Sequence, residues 1–324
     1  MRPFWKDLLI SVLMGLVLPG LALNAAVLLL EVEGEPQPSV METVPQTTPE
    51  TVYLPMRMRN ADGSTEEMDM DTYLVGVVLA EMPADFEMEA LKAQAVVART
   101  YTQKAYVTGG KHGDGSVCTK SSCCQAYLSE QDYLDKGGTQ EAVEKIRSAV
   151  NSTTGYVLTY EGELIEATYF SCSGGSTEDA QAVWGTDYPY LQAVSSPGEE
   201  NAAYYTDTVT FTKQAFQSAL GILPDGEPET WFGTVTYTEG GGVDTMEIGG
   251  EVFQGMKLRT LLGLRSTAFS VTADADTITI MTKGYGHRVG MSQYGADAMA
   301  VTGSIFREIL SWYYQGTQLT RVGN

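Results

Sequence analysis

Positive charge is scarce in this chain. Its 20 Lys and Arg residues face 41 Asp and Glu, a formal net charge of −21 over 324 residues. A phosphate backbone would be repelled by such a surface, which argues against nucleic acid as a partner. Histidine is scarcer still, with two residues, His112 and His287. No internal repeat is visible, which removes solenoid architectures. Helices and strands alternate without regular βαβ spacing, which removes a doubly wound parallel sheet and leaves an α+β fold of helices and antiparallel hairpins. Composition is otherwise ordinary for a globular protein, so disorder is not the dominant state.

Charge is absent altogether between Leu8 and Leu30, a run flanked by Arg2 and Lys6 on one side and by Glu31, Glu33 and Glu35 on the other. That length spans a bilayer. Gly15, Pro19 and Gly20 disfavour a buried soluble helix, and a cleaved leader would have a shorter apolar core, although Ala22, Ala25 and Ala26 keep cleavage open. Residues 1–30 are therefore expected to form a cytoplasmic tip and a retained single-pass anchor, with everything after it outside the cytoplasm. Residues 31–50, EVEGEPQPSVMETVPQTTPE, combine Pro, Glu and Thr and read as an extended tether of up to roughly 60 Å. Residues 51–324 then form one extracytoplasmic domain, with a second lobe at about 201–280 and a cleft between lobes.

Within that domain, strands are expected around Val52–Met58 and Thr65–Met68, joined by a turn at Asn60–Gly63. Asp71 offers a cap for a helix over Thr72–Glu81, which Pro83 ends by holding Met82 extended. A longer helix follows from about Glu87 to Val107. Further on come a helix over Gln140–Asn151, a hairpin of Tyr156–Tyr160 with Leu164–Phe170, helices at Thr212–Leu220 and Gly255–Leu262, and a last one around Ile305–Tyr314.

Glu81 closes an apolar helix, so its carboxyl is expected against nonpolar side chains. Partial desolvation there raises a carboxyl toward the range useful for a general acid. Lys92 and Arg99 lie two turns apart on one face of the next helix. They suit orientation of Glu81 or binding of sugar hydroxyls and carboxylates. Solvated helix charges are the plainer reading of the same spacing. Asp85, Glu87 and Asp179 are candidate second carboxylates.

Three blocks carry a resemblance. YLVGVVLAEMPADFEMEALKAQAVVARTY at 73–101, SCSGGSTE at 171–178, and GYGHRVGMSQYGADAMA at 284–300 followed by ILSWYYQGTQL at 309–319 resemble the stage II sporulation protein D and amidase-enhancer family. The order and length of the blocks make the likeness specific. One departure is Arg288, where the family's GHGVGMSQ has its second glycine. The resemblance implies a lytic transglycosylase acting on peptidoglycan strands whose stem peptides an amidase has removed. Such an enzyme cleaves the bond from N-acetylmuramic acid to N-acetylglucosamine and leaves a 1,6-anhydro end. It implies Glu81 as the acid/base, Lys92 and Arg99 as the motif's basic positions, and Ser173, Gly174 and Gly175 as a substrate-lining block. His287, in the last block, joins them as a candidate for binding substrate, against a purely structural histidine. A tight turn is the alternative for the glycine pair. The implied setting is engulfment in an endospore former, in the mother-cell membrane facing the septal wall, with a partner amidase and a further sporulation membrane protein. A noncatalytic glycan-binding activator of an amidase, and a hydrolytic muramidase, are the competing functions.

Soft thiolates and an imidazole on a Gly- and Ser-rich loop suit Zn²⁺. His112, Cys118 and Cys124 follow H-x5-C-x5-C, and the resemblance implies these three as ligands of a zinc; no general base pairs with the loop, so the metal's role is expected to be structural. Water or a substrate oxygen, or with less support Cys123 or Cys172, would complete the shell. Disulfides are the other reading of four cysteines outside the cytoplasm.

Overall fold

The computed structural model describes residues 55–322, and the expected anchor at 1–30 and tether at 31–50 lie outside the described residues. Among the described residues no helix is long and apolar enough to cross a membrane. The architecture is α+β. Strands β1 (Pro55–Arg59) and β2 (Thr65–Asp69) lead into helices α1 (Met70–Glu81) and α2 (Met88–Thr108). Strand β3 (Ser116–Cys118), helices α3 (Glu130–Asp135) and α4 (Gln140–Asn151), the hairpin of β4 (Tyr156–Tyr160) and β5 (Glu163–Leu164), strand β6 (Tyr169–Phe170) and helix α5 (Ala180–Trp184) follow. Next come β7 (Thr206–Thr212), α6 (Lys213–Leu220), β8 (Phe232–Tyr237), β9 (Val243–Ile248), β10 (Glu251–Gln254), α7 (Gly255–Leu261), β11 (Phe269–Ala273) and β12 (Thr277–Lys283). The chain closes with β13 (Met291–Ser292), α8 (Gln293–Val301), α9 (Phe306–Tyr313) and β14 (Gln318–Arg321).

Helix α1 begins two residues earlier than its sequence suggests, because Asp69 and not Asp71 caps it. The Asp69 carboxylate accepts from the Thr72 amide at 3.0 Å, while Asp71 is drawn to Arg99 at 2.8 Å. Its far end follows from Pro83: Met82 is extended, at φ −126° and ψ 141°. Every residue from Tyr73 to Leu79 is buried, the pattern of a helix packed on all sides. Helix α2 lies beside it and packs against α4, α8, α9 and β4. Its small side chains, Ala90, Ala93, Ala95 and Ala98, are all buried and let those neighbours approach closely. The single strand expected over Leu164–Phe170 is broken into β5 and β6, because Thr168 is turned aside to bond the 289–291 segment.

Two apolar cores result. The first is built on α1 and α2, joined by α4 and by Ile309, Leu310, Tyr313 and Tyr314 of the last helix and its cap. The second is confined to residues 216–280, where Phe216, Trp231, Leu258, Ile278 and Ile280 are buried. There the sheets β10-β9-β8 and β11-β12-β7 are antiparallel throughout, and helices α6 and α7 contribute Phe216 and Leu258.

Candidate functional site

A cavity of about 830 Å³ gathers residues from both parts of the chain: Glu81 and Tyr101 from the first two helices, Lys111, Cys123 and Cys124 from the cysteine loop, Tyr169 and Phe170 from β6, Trp184 from α5, Arg259 from α7, and His287. Glu81 is half-buried at the end of α1. Its Oε1 accepts from the Ala126 amide at 2.7 Å. Burial pushes its carboxyl above the usual carboxylate range, and the Ala126 amide and the side chains of Tyr169 and Gln293 beside it oppose the shift without reversing it.

That amide is delivered by the segment after the cysteines. The Tyr127 ring stacks on Tyr73 of α1, with centroids 5.6 Å apart and planes 7° apart, and the Leu128 amide donates to the Gly76 carbonyl at 3.0 Å. Gly76 is required here, since a Cβ on it would fall 2.3 Å from the Tyr127 ring. Gln125 ties the same segment to the Tyr73 and Thr102 hydroxyls and accepts from Tyr169 at 3.2 Å.

The cysteine loop brings four donors together. The ligand atoms of His112, Cys118, Cys123 and Cys124 all lie within 4.8 Å of one another. His112 Nε2 is 3.5 Å from Cys124 Sγ and 3.9 Å from Cys123 Sγ, and the two sulfurs are 3.8 Å apart. A tetrahedral zinc with bonds of about 2.3 Å to sulfur and about 2.0 Å to nitrogen needs edges of about 3.8 Å and about 3.5 Å, so the donor set fits that ion. Cys123 therefore joins the three residues the spacing singles out. A tight turn explains it: the Cys123 and Cys124 amides both donate to the Lys120 carbonyl, at 2.9 and 2.8 Å, which turns both thiols toward His112. Cys172 is remote from the cluster, buried with its thiol donating to Glu199 at 3.0 Å. All four cysteines are free of disulfides.

His287 lines the cavity between Phe170 and Trp184, its ring centroid 5.6 and 5.3 Å from theirs. Burial, and then the charge of Arg259, hold it down to about 4, so it is neutral near pH 7. Its Nδ1 accepts from the Val289 amide at 3.1 Å.

Five of the expected binding residues are elsewhere. Lys92 is bound to Glu89 at 2.6 Å, and Glu89 in turn accepts from the Phe306 amide at the start of α9. Arg99 is wholly buried, paired with Asp71 and donating to the carbonyls of Thr153, Tyr156 and Val150. It clamps α2 to α4 and β4. Ser173, Gly174 and Gly175 form a turn around the buried carboxylate of Glu199, which accepts from the Ser173 amide at 2.6 Å and the Ser173 hydroxyl at 2.8 Å. Gly174 has φ 75°, and a Cβ on it would meet the Lys283 backbone at 2.7 Å. The candidate second carboxylates also face away: Asp85 and Glu87 are exposed, and Asp179 caps α5. The second carboxylate in the cavity is Glu166, bound by Lys104 at 2.7 Å.

Arg288, the departure from the family pattern, keeps the glycine's backbone. Its φ is 66°, and its guanidinium is buried against Glu178 at 3.0 Å while donating to the carbonyls of Ser173, Ser176 and Gly240.

Comparison with known proteins agrees with these blocks. A family model described as "Stage II sporulation protein" matches residues 59–160. The chain is 42% identical over 267 residues to stage II sporulation protein D of Bacillus subtilis, covering 81% of this chain and 77% of that one. It is 40% identical over the same length to the protein of that name from Bacillus amyloliquefaciens. It is also 31% identical to the amidase enhancer of Bacillus subtilis, across 76% of this chain and 40% of that protein.

Proposed function

The chain belongs to the stage II sporulation protein D family, and from that premise we propose that it is a lytic transglycosylase of sporulation, cutting peptidoglycan strands already stripped of stem peptides. The observation that carries the reading is the environment of Glu81, a carboxyl in the wall of a glycan-sized cavity whose hold on its proton burial strengthens. Protonated Glu81 gives its proton to the glycosidic oxygen as the bond to muramic acid C1 breaks, and the departing N-acetylglucosamine keeps that oxygen as its 4-hydroxyl. The C6 hydroxyl of the muramic acid then closes on C1 and loses its proton to the ionised Glu81. The carboxyl is restored and a 1,6-anhydro end remains. One group serves both halves, in contrast to the two carboxylates that hydrolysis uses. The other carboxylate of the cavity, Glu166, is engaged with Lys104, which supports the single-residue route.

The Cys3His cluster is the proposed zinc site. Zinc held by four protein ligands has no open position, so its role is to fix the loop whose Ala126 amide holds Glu81. The apolar run at 8–30 and the tether at 31–50 are proposed to hold the domain in the mother-cell membrane facing the septal wall. There it would work beside a wall amidase and a further sporulation membrane protein.

The amidase-enhancer relative supports a second reading, a glycan-binding protein that activates an amidase without cutting. Digestion of amidase-treated sacculi separates the two. The transglycosylase yields anhydro ends by mass spectrometry, and Glu81→Gln binds the strands but yields none. Reducing ends would indicate a muramidase. Glycan left intact by the native protein, with amidase activity raised, would establish the activator.

A further inference from the structure

Arg259 is an anomaly in an acidic protein. It stands in the last turn of α7 and lines the cavity, yet among the described residues no carboxylate lies within ion-pair distance of it. Its one bond is from Nε to the Leu264 carbonyl at 3.4 Å. Its charge reaches His287 in the same wall. Of the other cations in the cavity region, Lys104 is bound to Glu166, and the Lys111 ammonium is turned into the cysteine loop, where it donates to the Cys123 carbonyl. A partly buried guanidinium without a counterion, in a chain of net charge −21, is a site for an anionic group of the ligand. Its planar fork matches a carboxylate in particular.

Under the reading above, the glycan offers one such group. Each muramic acid carries a lactyl ether on O3, and while the stem peptide is attached that lactyl carbon is a neutral amide leading into a bulky chain. Removal of the peptide by amide hydrolysis leaves a free carboxylate at that position. We propose that Arg259 binds the lactyl carboxylate of stripped strands and is the residue by which this protein tells stripped glycan from peptide-bearing glycan. The proposal rests on the glycan-cleaving assignment of the same cavity, and it gives that assignment a physical basis for substrate choice. The second core contributes the selecting cation, and the first contributes the acid.

The test uses the full chain carrying Glu81→Gln, so that binding is read without turnover. Short stripped strands are compared with the same strands whose lactyl carboxylates have been coupled to methylamine. Losing a charge-assisted bidentate contact is expected to weaken binding of the coupled strands about tenfold or more. Adding Arg259→Gln should weaken the native strands by a similar factor and abolish the difference between the two. Arg259→Lys, which keeps the charge without the fork, should retain a smaller preference. Thermal melts and zinc content identify any variant that has misfolded, and Arg259→Lys then carries the test. The proposal is overturned if Arg259→Gln still prefers native strands, if it weakens both equally, or if neither strand binds. Anhydro-end analysis of the native protein is a separate arm. Cleavage with no Arg259 dependence sinks only this proposal, and Arg259-dependent binding without cleavage sinks only the transglycosylase.

Discussion

Glu81 and Arg288 are both ionisable groups drawn out of water, and they respond to substitution in opposite ways. Because burial raises the Glu81 carboxyl, the folded chain holds that proton over a pH range in which the unfolded chain has released it. Stability therefore falls as pH rises from the ordinary value of 4.5 through the raised one. Glu81→Gln removes that penalty. Its melting temperature should match the native protein at pH 4 and equal or exceed it at pH 7, while glycan cleavage drops about 10²–10⁴-fold. A Gln variant that melts well below the native protein at pH 7 would mean that the carboxylate stabilises the site, against the sense of the shift. Arg288 is the reverse case. Its left-handed φ of 66° costs about 1–2 kcal/mol, offset by an ion pair and three carbonyl contacts. Arg288→Gly relieves the backbone but leaves Glu178 charged and buried, so a net loss of about 2–4 kcal/mol is expected in denaturant melts. Arg288→Gly with Glu178→Gln should recover part of that loss. If Arg288→Gly melts like the native protein, the buried pair and its carbonyl contacts do no more than offset the strain of the left-handed backbone.

At the scale of elements, what the sequence disclosed was local and what it concealed depended on distant partners. The end of α1 was legible because an apolar run meets Pro83, and that placed Glu81 at a helix terminus. The choice between Asp69 and Asp71 as cap was not legible, since it is decided by Arg99 from the next helix. Lys92 and Arg99 share a face as their spacing implies, but spacing does not say that the face meets α9 at one residue and α4 with β4 at the other. For the SCSGGST block the sequence left a substrate-lining segment and a tight turn side by side, and the structure has the turn. Its carboxylate, Glu199, lies some 25 residues later, and nothing local marked it. Glu166 and Arg259 carry no local signal, because the cavity they line exists only once both cores have formed. The cysteine loop stood between these extremes: spacing gave three donors, and adjacency hid that Cys123 turns the same way as Cys124. If the four donors act as one site, Cys123→Ser and Cys124→Ser should each lower bound zinc well below one ion per chain. Each should also lower the melting temperature and, by freeing the Ala126 amide from Glu81, cut activity about tenfold or more. Full zinc occupancy and an unchanged melt in Cys123→Ser would reduce the site to three protein ligands.

For the whole molecule the question is how a chain of net charge −21 approaches a stripped strand that bears a lactyl carboxylate on each muramic acid. Each of these carries a negative charge, so the far field repels the substrate while the cavity attracts it through Arg259. The two effects differ in range. Exposed charges act over the Debye length, about 30 Å at 0.01 M salt and about 10 Å at 0.1 M, whereas a partly buried contact is screened much less. Raising salt over that interval should therefore weaken the repulsion more than the contact. We expect KM for stripped strands to fall a few-fold between about 0.01 and 0.1 M salt with kcat unchanged, and we expect strands with methylamine-coupled lactyl groups to show no such dependence. A KM that climbs steadily with salt would mean that attraction governs the encounter as well. The acidic surface would then be irrelevant to substrate approach.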